Sequence, residues 1–270
     1  MTDTRQPIVL SIAGSDNTGG AGIQADIKTC CAYKVYAATV ITGVTAQNSR
    51  KVFGVEPVSL SMISQQIDSI FEVMRPDAVK TGMLPSPEII RLVGEKLRQY
   101  DVRNIVVDPV MVATNGGELV KTGNQTIEAF VEHLLPIADI VTPNISEASE
   151  FFGKNVRNMD AEAVCRRLKE ITGAKSVLLK GGHSSADAAS DYLFDRTSLT
   201  EFSSQRIVTD NTHGTGCTLS SAIACSLAMG KDIKEAVAEA KEFISEAIAS
   251  ASNLKIMEGP GPLDFFVNIE

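Results

Sequence analysis

Residues 211–218 read Asn-Thr-His-Gly-Thr-Gly-Cys-Thr and lead directly into an apolar segment, residues 219–229, that is predicted to be helical. The first turn of a helix presents backbone N–H groups without helical partners, at the positive end of the helix dipole. Gly214 and Gly216 allow an anion to approach that backbone closely. The stretch therefore predicts a turn and a helix start that bind a phosphate or a phosphoryl-transfer transition state. The alternative is a glycine-rich turn with an ordinary Thr or Ser cap.

Outside this stretch, short β-branched runs alternate with amphipathic segments along the chain. This alternation is typical of βαβ units, so we expect one domain over residues 1–270 with a mostly parallel sheet and helices on both faces. Turn-separated, partly polar runs near Tyr192 and Phe202 predict a small antiparallel edge. Strands are predicted at 8–13, about 38–44, 78–80, 105–107, 140–141 and 177–179, and helices at about 22–33, 60–71, 89–97 and 233–248.

Polar side chains and glycines follow nearly every predicted parallel strand. Gln47, Asp108, Asn144 and Lys180 all stand at or near such exits. Open α/β sheets bind their ligands at the carboxyl ends of the strands, so these exits predict a functional cleft. The alternative is that any strand must end in a polar loop, which does not explain why these chemically active residues cluster there.

The composition excludes several classes of protein. A net charge of −8 argues against nucleic acid or an anionic membrane as a partner, because both require a basic surface. The five cysteines show no CxxC or metal-binding spacing, which favours the reduced thiols of a cytoplasmic protein. No apolar run approaches the length of a membrane span.

Familiar nucleotide and hydrolase motifs are missing or weak. There is no P-loop, no HExxH and no GxSxG. Residues 20–25 match the loose dinucleotide pattern GxGxxA, but no acidic residue stands about twenty positions later to bind a ribose. An NAD-linked oxidoreductase built on this loop stays open as an alternative from another class.

Asn144 and Glu147 stand three residues apart at a predicted helix start. On one helix face, an amide and a carboxylate suit Mg²⁺ held through water beside phosphates. The alternative is a capping box, in which each side chain bonds the backbone N–H of the other residue.

Eight blocks together resemble the bacterial hydroxymethylpyrimidine/phosphomethylpyrimidine kinases of thiamine biosynthesis, which belong to the ribokinase-like superfamily. The resemblance covers essentially the whole chain. It implies a three-layer α/β/α fold, ATP with Mg²⁺ as the phosphoryl donor, two successive phosphorylations of one small pyrimidine, and a homodimer. The blocks are residues 12–16, 19–26, 45–48, 82–84, 108–111, 142–144 with Glu147, 180–183 and 211–218.

The resemblance also implies site residues. Gly14, Asp26, Gln47 and Met83 would line the pyrimidine pocket, and Met111 would add apolar contact to the ring. An aminopyrimidine offers an amine donor beside a ring-nitrogen acceptor, which Asp26 and Gln47 complement.

For phosphoryl transfer, Lys180 would neutralise phosphate charge, and Asn144 with Glu147 would hold the water shell of Mg²⁺. Many sugar kinases of the superfamily have an aspartate base where this chain has Cys217. We expect the helix start to lower the pKa of this thiol so that it serves as a thiolate base. The amides at the phosphoryl group would be those of Gly214, Thr215, Gly216 and Cys217.

Two rivals remain within this reading. A pyridoxal kinase shares the architecture, although Gln47 favours an aminopyrimidine. A non-catalytic nucleotide-binding regulator is disfavoured by the intact site. Residues 112–118 and Asp264 depart from the pattern of the family, so contacts from their loops are not predicted.

Overall fold

The computed structural model describes residues 5–111, 123–181 and 188–267, and its secondary structure alternates between strands and helices. The described strands are β1 (Ile8–Asp16), β2 (Tyr36–Gln47), β3 (Val52–Pro57), β4 (Ala78–Thr81), β5 (Ile105–Val107), β6 (Ile140–Val141), β7 (Ser176–Lys180), β8 (Ala188–Asp195) and β9 (Ser198–Gln205). The described helices are α1 (Gly22–Ala32), α2 (Leu60–Val73), α3 (Pro87–Gln99), α4 (Asn124–Ala129), α5 (Ile145–Phe152), α6 (Ala161–Thr172), α7 (Thr215–Ala228) and α8 (Ile233–Ala251).

The strands form one sheet in the order β3-β2-β1-β4-β5-β6-β7-β8-β9. The pairs from β2 through β7 are parallel, whereas β3 runs antiparallel to β2, and β8 and β9 run antiparallel at the opposite edge. The predicted parallel sheet and the antiparallel edge pair are therefore confirmed. Strand β3 was not predicted, because this exposed strand contains Gly54 and Pro57 and lacks an apolar alternation.

Alternating side chains of the inner strands bury themselves in two helical layers. Val9 belongs to the core that contains residues of α1, α7 and α8 on one face, and Leu10 belongs to the core that contains residues of α2, α3 and α6 on the other. The three-layer α/β/α architecture is therefore confirmed. The described helices do not include one with the length and apolar character needed to cross a bilayer.

Strands β1 and β2 continue beyond their predicted ends. Their parallel register runs to the pair Asp16 and Thr45, past the predicted ends at Ala13 and Val44. Gly14, Asp16 and Gln47 consequently lie on rigid sheet rather than on loops. This places the polar ends of the central strands at one edge, directly below the start of α7.

Candidate active site

The turn into α7 is formed by a glycine that other residues cannot replace without strain. Gly214 caps the helix with φ +85°, and a Cβ at this position would overlap the carbonyl oxygen of Gly20. The Thr215 N–H donates to the Thr212 carbonyl at 3.3 Å, so it is partly used within the turn. Of the four predicted amides, those of Gly216 and Cys217, in the first turn of the helix, are the best placed to bind an anion.

A buried acid–imidazole pair attaches this turn to the end of β1. His213 Nε2 lies 2.8 Å from Asp16 Oδ2, and the His213 N–H donates to the Gly261 carbonyl at 3.0 Å. Asp16 also accepts from the backbone of Thr18 and Ala21. Burial alone would raise the pKa of Asp16, but its bonds with His213 and Thr18 hold that pKa well below the usual range. Buried hydrogen bonds therefore connect the turn before α7 to the end of β1.

Lys180 lies beside the turn and pairs with Asp108. Asp108 follows a predicted strand but was not among the predicted site residues. Lys180 Nζ donates to Asp108 Oδ1 at 2.8 Å, and Thr142 donates to the same oxygen at 3.1 Å. A Cβ on Gly216 would lie 3.4 Å from both Lys180 Nζ and Asp108 Oδ2. Burial lowers and the nearby carboxylates raise the pKa of Lys180, with a net increase, so it stays charged. Lys180 is thus positioned to meet a phosphate at the turn.

Asn144 and Glu147 form the capping box that was the alternative interpretation of this pair. Asn144 Oδ1 accepts from the Glu147 N–H at 2.9 Å, and Glu147 Oε2 accepts from the Asn144 N–H at 2.8 Å. The Glu147 carboxylate also lies 4.0 Å from Lys180 Nζ. Burial raises the pKa of Glu147 to about 7. The charge of Lys180 opposes this increase, and the charge of Asp108 adds to it. The box therefore fixes a carboxylate beside Lys180.

The thiol of Cys217 does not have the lowered pKa that was predicted from its place at a helix start. Removal of the thiol from water raises its pKa to about 11, and Asp26 and Asp108 add to this effect. Lys80 and a bond from the Gly22 backbone oppose the increase. The prediction is corrected because desolvation outweighs the helix dipole at this position.

Asp26 lies beneath the site rather than on the wall of a pyrimidine pocket. Its side chain is 1% exposed, and both carboxylate oxygens bond Lys80 Nζ, at 2.8 and 2.9 Å. Ser11 and Ser221 donate to the same carboxylate. Four bonds occupy this carboxylate, so the predicted direct contact with a substrate amine is corrected.

The other predicted pocket residues divide into two groups. Gly14 and Met83 are in contact, since a Cβ on Gly14 would overlap the Met83 methyl group. Gln47 is 6% exposed, and within the described ranges no donor reaches its Oε1. Met111, at 1% exposure, lies in the hydrophobic core. The structure therefore brings Gly14 and Met83 together, leaves the buried Gln47 amide at the end of β2, and places Met111 in the core.

A family model described as phosphomethylpyrimidine kinase matches residues 16–264, a span that contains the α7 turn, Lys180, Gln47 and Cys217. The chain belongs to this family. It is similar to the hydroxymethylpyrimidine/phosphomethylpyrimidine kinase of Rhizobium meliloti, with 47% identity over 96% of this chain and 97% of the relative.

Two solved structures resemble the chain along most of its length. A phosphomethylpyrimidine kinase from Clostridium difficile 630 is 43% identical, with a TM-score of 0.78 over 90% of this chain and all of the other. An ADP complex of Bacillus subtilis pyridoxal kinase is 34% identical, with a TM-score of 0.87 over 97% and 98% of the two chains. Both members of the comparison share the ribokinase-like architecture that the sequence predicted.

The glycines that resembled a dinucleotide-binding loop have a packing role in this structure. A Cβ on Gly20 would collide with the His213 ring, and one on Gly22 would collide with the Gly14 carbonyl. These glycines are needed for the loop to pack on β1 and on the α7 turn. Residues 112–118, which depart from the family pattern, lie outside the described residues. Gly182 and His183, which belong to the matching block 180–183, also lie outside them. Asp264 bonds Ser250 and the Phe266 N–H locally.

Proposed function

We propose that this protein is an ATP-dependent kinase that phosphorylates 4-amino-5-hydroxymethyl-2-methylpyrimidine and then converts the monophosphate to the diphosphate. The observation that carries the proposal is the α7 turn with Lys180 at one side and the unpartnered amide oxygen of Gln47 in the same family fold. An anion site and a buried hydrogen-bond acceptor are what transfer to a small aminopyrimidine requires.

The roles in phosphoryl transfer follow from this geometry. The Gly216 and Cys217 amides and the Lys180 ammonium stabilise negative charge on the transferring group. Asp108 and Thr142 hold the lysine in place. Cys217, in the first turn of α7, receives the hydroxyl proton in the first reaction. The second reaction starts from a phosphate that is already anionic and needs no base.

The residues fit a bound Mg²⁺ with ATP. Asp108 and Glu147 place two carboxylates around the single ammonium of Lys180, and burial is the main cause of the raised pKa of Glu147, with a smaller increase from the charge of Asp108. The described residues contain no group of three or more acidic, His or Cys side chains that could hold a metal directly. Asn144 and Glu147 would therefore hold the ion through its water shell, and the ion supplies charge neutralisation on the phosphates.

Replacing Gln47 by leucine is expected to raise the KM for hydroxymethylpyrimidine by about 10- to 100-fold, because the lost bond to the ring amine corresponds to roughly 1–3 kcal/mol. The kcat is expected to change less, since Gln47 contacts the ring rather than the reacting oxygen. Steady-state kinetics measure both values. Gln47→Glu, which keeps an acceptor, should recover part of the affinity, and an unchanged KM in the leucine variant would contradict the assignment.

Pyridoxal kinase is the second candidate, and the high structural similarity to the Bacillus subtilis enzyme favours it as a side activity. A substrate-profiled assay with hydroxymethylpyrimidine, its monophosphate and pyridoxal tests the proposal. We expect the highest kcat/KM for the two pyrimidines. Efficient transfer to pyridoxal alone would replace the proposal by this alternative.

We further propose a cytoplasmic, single-domain protein that forms a homodimer. One sheet connects all the described strands, which supports a single domain. Val44, Phe53, Leu60 and Met62, on β2, β3 and the first turn of α2, are 44–62% exposed. Such apolar exposure on neighbouring elements fits a subunit interface. Light scattering in solution measures the molar mass that decides it.

A further inference from the structure

A buried cluster of polar side chains lies under the first turns of α7. Lys80 Nζ donates to both oxygens of Asp26, at 2.8 and 2.9 Å. Ser221 donates to Asp26 Oδ1 at 2.7 Å, and Ser11 donates to Oδ2 at 2.5 Å. The cluster therefore joins β4, α1, α7 and β1 at one point.

The position of Lys80 follows from the alternation of β4. Ala78 and Lys80 point to the α1 and α7 face, whereas Val79 points to the opposite layer. Lys80 pairs in register with Ser11, and its side chain has 0% exposure. Burial of a charged lysine is unfavourable, and pairing with a carboxylate only offsets this cost. Stability alone therefore gives little reason for a buried Lys80–Asp26 pair in place of apolar side chains.

The cluster faces the thiol of Cys217. Ser221 follows Cys217 by four residues on α7, so both side chains lie on the same face of that helix. The charges that act on this thiol are Lys80 from β4, Asp26 from α1, Asp108 after β5 and Lys180 from β7. Lys180 already bonds Asp108 and stands where a phosphate would bind. Of these two described cations, Lys80 is the one without a role at the phosphate, so its charge can act on the thiol.

We propose that Lys80 is a positioning residue of the phosphoryl-transfer centre, whose buried ammonium balances the negative charge of the Cys217 thiolate while Asp26 and Ser221 hold it in place. The assignment of the two reaction steps rests on the proposed function. The electrostatic interaction between Lys80 and Cys217 is independent of the proposed function.

In the first phosphorylation, the hydroxyl O–H bond breaks and its proton moves to the Cys217 sulfur. The oxygen forms a bond to the γ-phosphorus, and the bond from phosphorus to the bridging oxygen breaks, leaving ADP with the electron pair. The anionic sulfur becomes neutral in this step. Lys80 therefore stabilises the state before proton transfer and makes that state more populated.

Alkylation of Cys217 by iodoacetamide tests the charge relation without any substrate. Cys217 is half-buried, Cys31 is exposed, and the other three cysteines are buried, so a Cys31→Ser background isolates the reaction. In Lys80→Met, we expect the rate constant at pH 8 to fall about tenfold, because a pKa increase of one unit lowers the thiolate fraction tenfold. Mass spectrometry of the peptide that contains Cys217 measures the rate.

Lys96→Met is the matched control, because Lys96 also bonds both oxygens of one aspartate, Asp68, at 2.7 Å, but on α3 and away from the thiol. The alkylation rate of Cys217 in the Lys96→Met variant should stay within about twofold of the rate in the parent protein. If Lys80→Met does not fold, Lys80→Gln decides, because it removes the charge but keeps an N–H donor for the retained Asp26, and its Cys217 alkylation should also be slowed. Normal alkylation in the folded variant overturns the proposal.

Kinetics of the two steps separate this role from a purely structural one. We expect Lys80→Met to slow phosphorylation of the hydroxyl about tenfold and phosphorylation of the monophosphate by less than about threefold. Equal losses in both steps overturn the proposal. Should the parent protein not phosphorylate a pyrimidine at all, the proposed function fails, while the alkylation result still decides the role of Lys80.

Discussion

Gly214→Ala is expected to lower both phosphoryl transfers by at least about 100-fold. The new Cβ would overlap the Gly20 carbonyl oxygen, and a residue with a side chain resists the φ of +85°. The turn must therefore move away from the loop after β1. A shift of about 1 Å in groups that align the reaction costs on the order of 100-fold in rate. Both steps use the same amides, so both should fall together.

Gly230→Ala is the control that isolates backbone strain from collision. Gly230 has φ +86° at the other end of α7, and a Cβ there would have open space. We expect a loss of about 1 kcal/mol in the free energy of unfolding and normal activity. Circular dichroism and steady-state kinetics on both variants make the comparison. A folded Gly214→Ala protein with parental activity would contradict the role of the turn.

Cys217→Ala is expected to slow phosphorylation of the hydroxyl by about 10²- to 10⁴-fold, the usual contribution of a general base. Phosphorylation of the monophosphate should change by only a few-fold, because its attacking oxygen carries no proton that must be removed. A neutral thiol, unlike a fixed carboxylate, also does not repel this anionic substrate. Single-turnover assays with each substrate measure the two losses. Equal losses in the two steps would remove the idea.

The same assignment fixes the sign of the pH dependence. With a thiol pKa of about 11, the thiolate fraction grows about tenfold for each pH unit from 7 to 10. The kcat/KM of the first step, which reports ionisation of the free enzyme, should therefore increase with pH from 7 to 10. The kcat/KM of the second step should not show this increase. Cys217→Ser serves as the control, because its hydroxyl does not ionise in this range. A first step independent of pH would show that another group takes the proton.

The sequence was sufficient for the layers of the fold and for the glycine turn that begins α7. Buried β-branched runs and amphipathic stripes predicted the central strands and the long helix α8, and the glycines of residues 211–218 predicted the turn into α7. Strand β3 escaped prediction because Val52–Pro57 is mostly exposed and has no apolar face to create a pattern. Edge strands of this kind are specified by pairing with β2, not by their own residues.

The buried charges could not be predicted from the sequence. Asp26 and Lys80 are 54 positions apart, and their pairing depends on the register of β4 with β1 and on the packing of α1. The pKa of Cys217 depends in the same way on desolvation by several elements, whereas the sequence shows only its place at a helix start. Asp108 is recognisable only when the structure shows its bond with Lys180.

The most direct test of the account is a crystal structure of the protein with hydroxymethylpyrimidine, Mg²⁺ and a non-hydrolysable ATP analogue. We expect the terminal phosphoryl group within hydrogen-bond distance of the Gly216 and Cys217 amides and of Lys180 Nζ. The hydroxymethyl oxygen should point at Cys217, and the ring amine should bond Gln47. A triphosphate bound away from the α7 turn would contradict the account.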